Sequence, residues 1–100
     1  MNMDEYWEIE KKYKRTRFIL ESKVDTIADI LRKRGTIPYQ GMLTRFRDIT
    51  RSNDGMIKAT CSDVYIMIPP HVMEIETQIE FSFMVQTEIN SGGIYVGLIK

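Results

Sequence analysis

The sequence predicts an α+β domain in which two N-terminal helices, or one long one, and a short third helix pack on an antiparallel sheet of three to five strands. Three observations predict it. The first 34 residues contain no Gly or Pro and carry apolar residues at helical spacing. Ser52-Asn53-Asp54-Gly55 then breaks the chain with residues that accept positive φ or bond their own backbone. Beyond it the apolar period falls from about 3.6 to 2. At 100 residues the chain has the size of one domain, divided into a helical basic part over 1–51 and an antiparallel sheet part over 55–100.

Tyr6, Ile9, Tyr13, Thr16 and Leu20 step by three and four, and the phase runs on through Val24, Ile27 and Leu31. That pattern fits a single helix of about thirty residues with a coiled-coil-like seam. It also fits two helices broken near Ser22, because Ser22-Lys23-Val24-Asp25 has the form of a capping box. Arg32-Lys33-Arg34-Gly35 ends the helical segment, with cations where the last carbonyls carry partial negative charge and a glycine where a left-handed cap is cheap. Pro38 sets an extended approach. Met42, Leu43, Phe46 and Ile49 then follow a helical pattern, although alternation through Leu43, Arg45, Arg47 and Ile49 leaves a strand open.

In the second half Ile57, Ala59 and Cys61 alternate with polar residues, and Val64, Ile66 and Ile68 alternate in the opposite phase. A bulge or tight turn is therefore required at Ser62-Asp63. After Pro69-Pro70 the longest alternation in the chain sets Met73, Ile75, Thr77, Ile79, Phe81, Phe83 and Val85 on one face and Glu74, Glu76, Gln78, Glu80 and Ser82 on the other. It predicts a strand with an acidic solvent face. Asn90-Ser91-Gly92-Gly93 would turn this strand into a hairpin with Ile94–Ile99.

Several function classes are disfavoured by composition. The charge-free run Val64 to Met73 is ten residues and contains two prolines, and no run without a charge exceeds eleven residues, about half of what a membrane-spanning helix needs. The opening Met1-Asn2-Met3-Asp4-Glu5-Tyr6-Trp7 is acidic and aromatic, whereas a secretory signal starts basic and continues apolar. The one cysteine, Cys61, can form no internal disulfide and no structural zinc site by itself. A cytoplasmic protein without membrane, cofactor, metal or small-molecule substrate is the expectation.

Charge is the informative feature. The net charge is zero, but residues 1–51 hold twelve Lys and Arg against eight Asp and Glu, and residues 52–100 hold two against six. Such a division points to an anionic partner or to a self-complementary homo-oligomer. Lys11, Lys12, Lys14, Arg15 and Arg17, then Arg32, Lys33, Arg34, Arg45 and Arg47, are the candidate contacts to nucleic acid or another acidic surface. The competing description is a set of solvated helix faces neutralised by acids three or four residues away. Tyr6 and Trp7 are candidate anchors for a protein interface. His71 after two prolines, with Glu74 or Glu76 nearby, makes a weak acid–base or metal pair. No catalytic set emerges, so the expected role is a non-enzymatic regulatory or accessory protein. The alternative is a protein-binding module, an inhibitor or complex subunit, using the helical stripe and the acidic strand.

Glu8-Ile9-Glu10-Lys11-Lys12 resembles the ExExK signature of the CYTH, or triphosphate tunnel metalloenzyme, family, and Arg45-Phe46-Arg47 and Glu74-Ile75-Glu76 follow in that family's order. The resemblance implies strand-borne carboxylates holding a divalent cation against a triphosphate, with basic residues on its oxygens. Two physical points oppose it: a tunnel of about eight strands needs more chain, and the helical phase of Tyr6, Ile9 and Tyr13 separates Glu8 from Glu10. Helices followed by a β segment also loosely resemble a winged helix-turn-helix.

Overall fold

The computed structural model describes residues 3–38 and 44–99, and in the first helix the side chains of 3–7, 9, 10 and 13 fall outside the description. In chain order the elements are α1 (Met3–Lys33), β1 (Arg47–Arg51), β2 (Ile57–Cys61), β3 (Val64–Ile68), α2 (Pro70–Met73), α3 (Gln78–Ser91) and β4 (Tyr95–Leu98). The four strands form one antiparallel sheet in the order β1-β2-β3-β4. The α+β class and the four-stranded antiparallel sheet agree with the sequence expectation.

α1 is a single helix. The Ser22-Asp25 segment does not cap a second one: the Ser22 carbonyl accepts from the Thr26 hydroxyl at 3.0 Å, and the Asp25 carboxylate takes the guanidinium of Arg47 at 3.1 Å. Continuity is favoured because Val24, Ile27, Ala28 and Leu31 seal one face of the helix into the core. The helix stops where the sequence says it should. Gly35, at φ +74°, lets its own N–H reach the Arg32 carbonyl and the Thr36 N–H reach that of Leu31.

Residues 44–46 have no regular structure and 47–51 form β1, which corrects the expectation of a third helix from about residue 42; Met42 and Leu43 lie outside the described residues. A strand here gives β2 a partner along its outer backbone edge, and Arg47, Thr50 and Arg51 pair with Thr60, Lys58 and Ile57. A bulge between Arg47 and Thr50, with Asp48 at φ +53°, lets the chain depart from simple alternation, and the preceding Phe46 is fully buried.

The two predicted turns close the next hairpins. Ser52–Gly55 holds itself through Gly55 N–H to the Ser52 carbonyl and Ser52 N–H to the Met56 carbonyl, while Asp54 accepts from the Ser52 hydroxyl and from the Met56 N–H. Ser62-Asp63 is a tight turn with Ser62 at φ +52°. Through it Ile57, Ala59, Cys61, Val64, Ile66 and Ile68 all face the same way and are buried.

The segment read as a long strand from Met73 to Val85 is instead the end of α2, a connection and the first half of α3. Thr77 caps α3 by accepting from the Glu80 N–H, Glu80 places a carboxylate in the first turn, and Gly92 at φ +84° closes the helix. Asn90–Gly93 is accordingly a helix terminus rather than a hairpin turn, and the partner of β4 is β3. Phe81 and Val85, one helical turn apart, enter the core alongside the buried face of α1. Each large side chain fully buried there contributes roughly 1.5–3 kcal/mol relative to exposure.

Candidate functional site

A helix of 31 residues is about 46 Å long at 1.5 Å per residue, and the longest extent of the molecule is 49 Å. Among its described side chains burial is confined to one end: Leu20 is half-buried and Val24 is the first of them that is buried, whereas Glu8, Lys11, Lys12 and all of 14–19 are exposed. The N-terminal half of α1 therefore stands out beyond the layer that the sheet supports.

On this half Lys11, Lys12 and Arg15 occupy one side, where with Glu8, Thr16 and Ile19 they line a shallow hollow. At about 100° per residue that side lies opposite Val24, Ile27 and Leu31, so it faces solvent. These three cations form no ion pair among the described residues. Phe18 and Ile19 belong to the same outward face and are 69% and 48% exposed. Lys14 is exposed beside them, and Arg17 donates its Nε to Glu21 at 3.1 Å.

The remaining predicted cations mostly hold the fold together. Arg32 keeps only 6% of its side-chain surface; it pairs with Asp29 at 3.1 Å, donates to the Thr44 carbonyl at 2.9 Å and lies 5.8 Å from the centroid of the Phe46 ring. Arg34 bonds the Asn90 side chain on α3. Arg47 bridges Asp25 and its own neighbour's carbonyl at Phe46, with Glu21 at 3.9 Å. Lys33 and Arg45 are exposed. A single basic surface uniting Lys11, Arg15, Arg34 and Arg47 is not formed: Arg34 lies nineteen residues beyond Arg15, about 28 Å along the helix axis, and Arg47 is spent on Asp25. Tyr6 and Trp7, the candidate protein anchors, lie outside the described side chains.

Sequence reasoning missed three features. Lys23, counted only as a charge, donates to the carbonyls of Met73 and Ile75 and sits 5.5 Å from the centroid of Phe81. On the sheet face away from the helices Lys58 lies 4.7 Å from the ring centroid of Tyr65. Finally, α3 leaves Ile79 and Phe83 on its outward side, 84% and 72% exposed. Only their helical spacing of four could have revealed this last feature, and the alternating pattern hid it.

A concavity of about 720 Å³ runs between the end of α1 and edge strand β4, with Leu31, Pro38, Ile94, Val96 and Leu98 among its walls. It is an open apolar groove, and it brings together no pair of acid and base. His71 pairs at the surface with Glu88, at 3.3 Å, rather than with Glu74 or Glu76. Cys61 is buried in β2. The carboxylates suggested by the ExExK resemblance are not carried on strands: Glu8 lies in α1, Glu74 and Glu76 lie between α2 and α3, and the open sheet has four strands. The tunnel reading is thereby corrected. No helix among the described residues is long and apolar enough to cross a membrane.

No protein-family model, no curated protein and no solved structure matches the chain.

Proposed function

We propose that this chain is a small binding protein, regulatory or accessory rather than catalytic, and that the outward face of the projecting half of α1 contacts nucleic acid. One observation carries the reading: Lys11, Lys12 and Arg15 stand together on a solvent-facing side, without ion pairs among the described residues, on a helical segment that extends past the rest of the molecule. Three such cations suit phosphates, whose neutralisation releases condensed counterions and gives binding that does not depend on base sequence.

The measurement is fluorescence anisotropy of labelled duplex and single-stranded oligonucleotides at a series of salt concentrations. Three phosphate contacts predict a slope of log K against log salt near −2.7 on duplex, and about −2 on single strands. K11E/K12E/R15E abolishes this binding without unfolding the chain, because all three side chains are exposed. Absence of salt-dependent binding at micromolar protein overturns the proposal.

The exposure of Phe18 and Ile19 on the same face favours a second reading, a protein-binding module acting as an inhibitor or complex subunit. It predicts affinity dominated by apolar anchors and weakly dependent on salt.

A further inference from the structure

The two edges of the sheet are finished differently. β1 carries Arg47, Asp48 and Arg51, and a bulge between Arg47 and Thr50. Charges and bulges are devices that keep an open edge from pairing with another strand. β4 has neither. From Ile94 to Ile99 the sequence holds no charge and no proline, and β4 pairs with β3 in unbroken register. Tyr95, Leu98 and Ile99 are nevertheless 48%, 71% and 41% exposed.

The backbone of this edge can be assigned group by group. Ile99 donates its N–H to the Asp63 carbonyl at 2.7 Å. Successive residues of an antiparallel ladder turn alternately to the two neighbouring strands, so Gly97 and Tyr95 also bond β3, while the N–H and C=O of Val96 and Leu98 point outward. No described residue takes those four groups. Ile94, the next outward position, is already engaged, because its N–H goes to the Glu88 carbonyl. The side chains sort by face in the same way. Leu98 and Val96 lie opposite the buried Val64 and Ile66 on the helix side, and Tyr95 lies opposite Met67 on the other face.

We infer that β4 is a self-association edge whose occupant is β4 of a second copy, antiparallel about a two-fold axis through Gly97. Tyr95-Val96-Gly97-Leu98-Ile99 reads alike in both directions: a large apolar residue, an aliphatic, glycine, an aliphatic, a large apolar residue. This axis sets Val96 against the partner's Leu98 and Leu98 against the partner's Val96, and the two pairs use all four outward groups. Tyr95 then meets the partner's Ile99 on the opposite face, so every exposed apolar side chain of the edge gains an apolar neighbour. Neighbouring registers do less. A slip of one residue turns the outward groups toward residues already bonded to β3. Centring on Val96 sets Leu98 against the partner's Ile94, whose N–H is already given, and centring on Leu98 leaves Tyr95 and Val96 unmatched among the described residues. That self-complementarity singles out a second copy over an unrelated strand. The two sheets become one, with both helix layers on the same face. Arg34, on the wall of the groove beside β4, is nineteen residues from Arg15. The cations of the projecting α1 half therefore stay uncovered, and this inference and the nucleic-acid reading can each fail alone.

Light scattering and sedimentation equilibrium of the full chain should give twice the 11.8 kDa chain mass, with little dependence on salt because no charge lies on the edge. Leu98→Lys, at an exposed position, should raise the dissociation constant at least about tenfold, since each of the two contacts loses a covered leucine, and should leave the circular dichroism unchanged. Amide exchange at Val96 and Leu98 should be slow in the wild-type dimer and fast in this variant. Mixed Tyr95→Cys and Ile99→Cys chains should join by a disulfide on oxidation, because an opposed pair without mutual hydrogen bonds brings its Cα atoms to about 4.5 Å. Neither variant should cross-link alone, since its two new cysteines lie about 13 Å apart along the strands and Cys61 is buried. A wild-type chain that stays monomeric at the highest soluble concentration overturns the inference and leaves the edge to a strand of another protein. A dimer that Leu98→Lys leaves intact overturns it as well, and failure of the mixed cysteine chains to cross-link overturns the axis at Gly97.

Discussion

Lys23→Met tests whether the long helix holds the α2–α3 connection by a charge rather than by apolar packing. The Lys23 ammonium donates to two carbonyls, those of Met73 and Ile75, and lies 5.5 Å from the Phe81 centroid. α2 has one turn, and the carbonyl of its last residue, Met73, is one of the two that Lys23 holds. Methionine keeps the apolar stem and loses the donor. Hydrogen bonds from a charged group contribute about 1.5–3 kcal/mol each. Partial exposure and the shared donor reduce the pair to an expected loss of about 2–3 kcal/mol. For a domain of this size that lowers Tm by roughly 10–20 °C, at about 4–8 °C per kcal/mol. Thermal and urea unfolding by circular dichroism measure it. Lys33→Met, the same change in charge at an exposed position of the same helix, should stay within about 0.5 kcal/mol of wild type. Amide exchange should also accelerate over residues 74–80 in the Lys23 variant before global unfolding. Equal melting of the two variants would refute the reasoning.

Two other perturbations probe the sheet. A Cβ at Gly97 would lie 2.3 Å from the Tyr65 ring, so Gly97→Ala should push that ring off and disturb the Lys58–Tyr65 stack, at a cost of about 1–3 kcal/mol; urea unfolding of the G97A/Y65A double variant should recover part of it, and strict additivity would count against the close approach. At the β1–β2 turn, the Ser52 hydroxyl and then the Met56 N–H hold the Asp54 carboxyl below its usual range. The depressed folded-state value means that its contribution is complete above the ordinary carboxylate pKa and disappears as pH falls through the lowered one. Urea midpoints between neutral and acid pH should therefore depend less on pH in Asp54→Asn, and unchanged dependence would remove Asp54 from the acid response.

The hairpins were legible because their turn chemistry is local. Ser52–Gly55 and Ser62-Asp63 carry the side chains and backbone conformations the turns use, and Gly35 marks the end of α1 by itself. The phase from Leu20 to Leu31 was legible too, since one helical face was apolar throughout. Neither the fate of the arginines nor the identity of β1 could be read this way. Arg32 and Arg47 look like their exposed neighbours in sequence, and only the approach of Asp29, Thr44 and Asp25 commits them to ion pairs and a carbonyl. β1 follows from the free edge of β2, a partner 10 residues away, while Phe46 satisfies either period.

The misreading of α3 has a more instructive cause. Thr77-Gln78-Ile79-Glu80 already contained a helix start, with a threonine three residues before a glutamate, and Gly92 a helix end. What argued for a strand was the surplus of apolar residues: Ile79 and Phe83 completed the alternation with Phe81 and Val85. In the folded molecule Phe81 and Val85 are buried, and Ile79 and Phe83 are not. An amphipathic helix needs only its inward residues to be apolar, so the two that spoiled the pattern are those the core did not require. The same mismatch occurs on α1, where Phe18 and Ile19 fall outside the stripe that runs through Leu20 and Val24. On α1 and α3 the departures from the helical period thus coincide with the exposed large apolar residues, and such departures are where a pressure other than folding acts on a sequence.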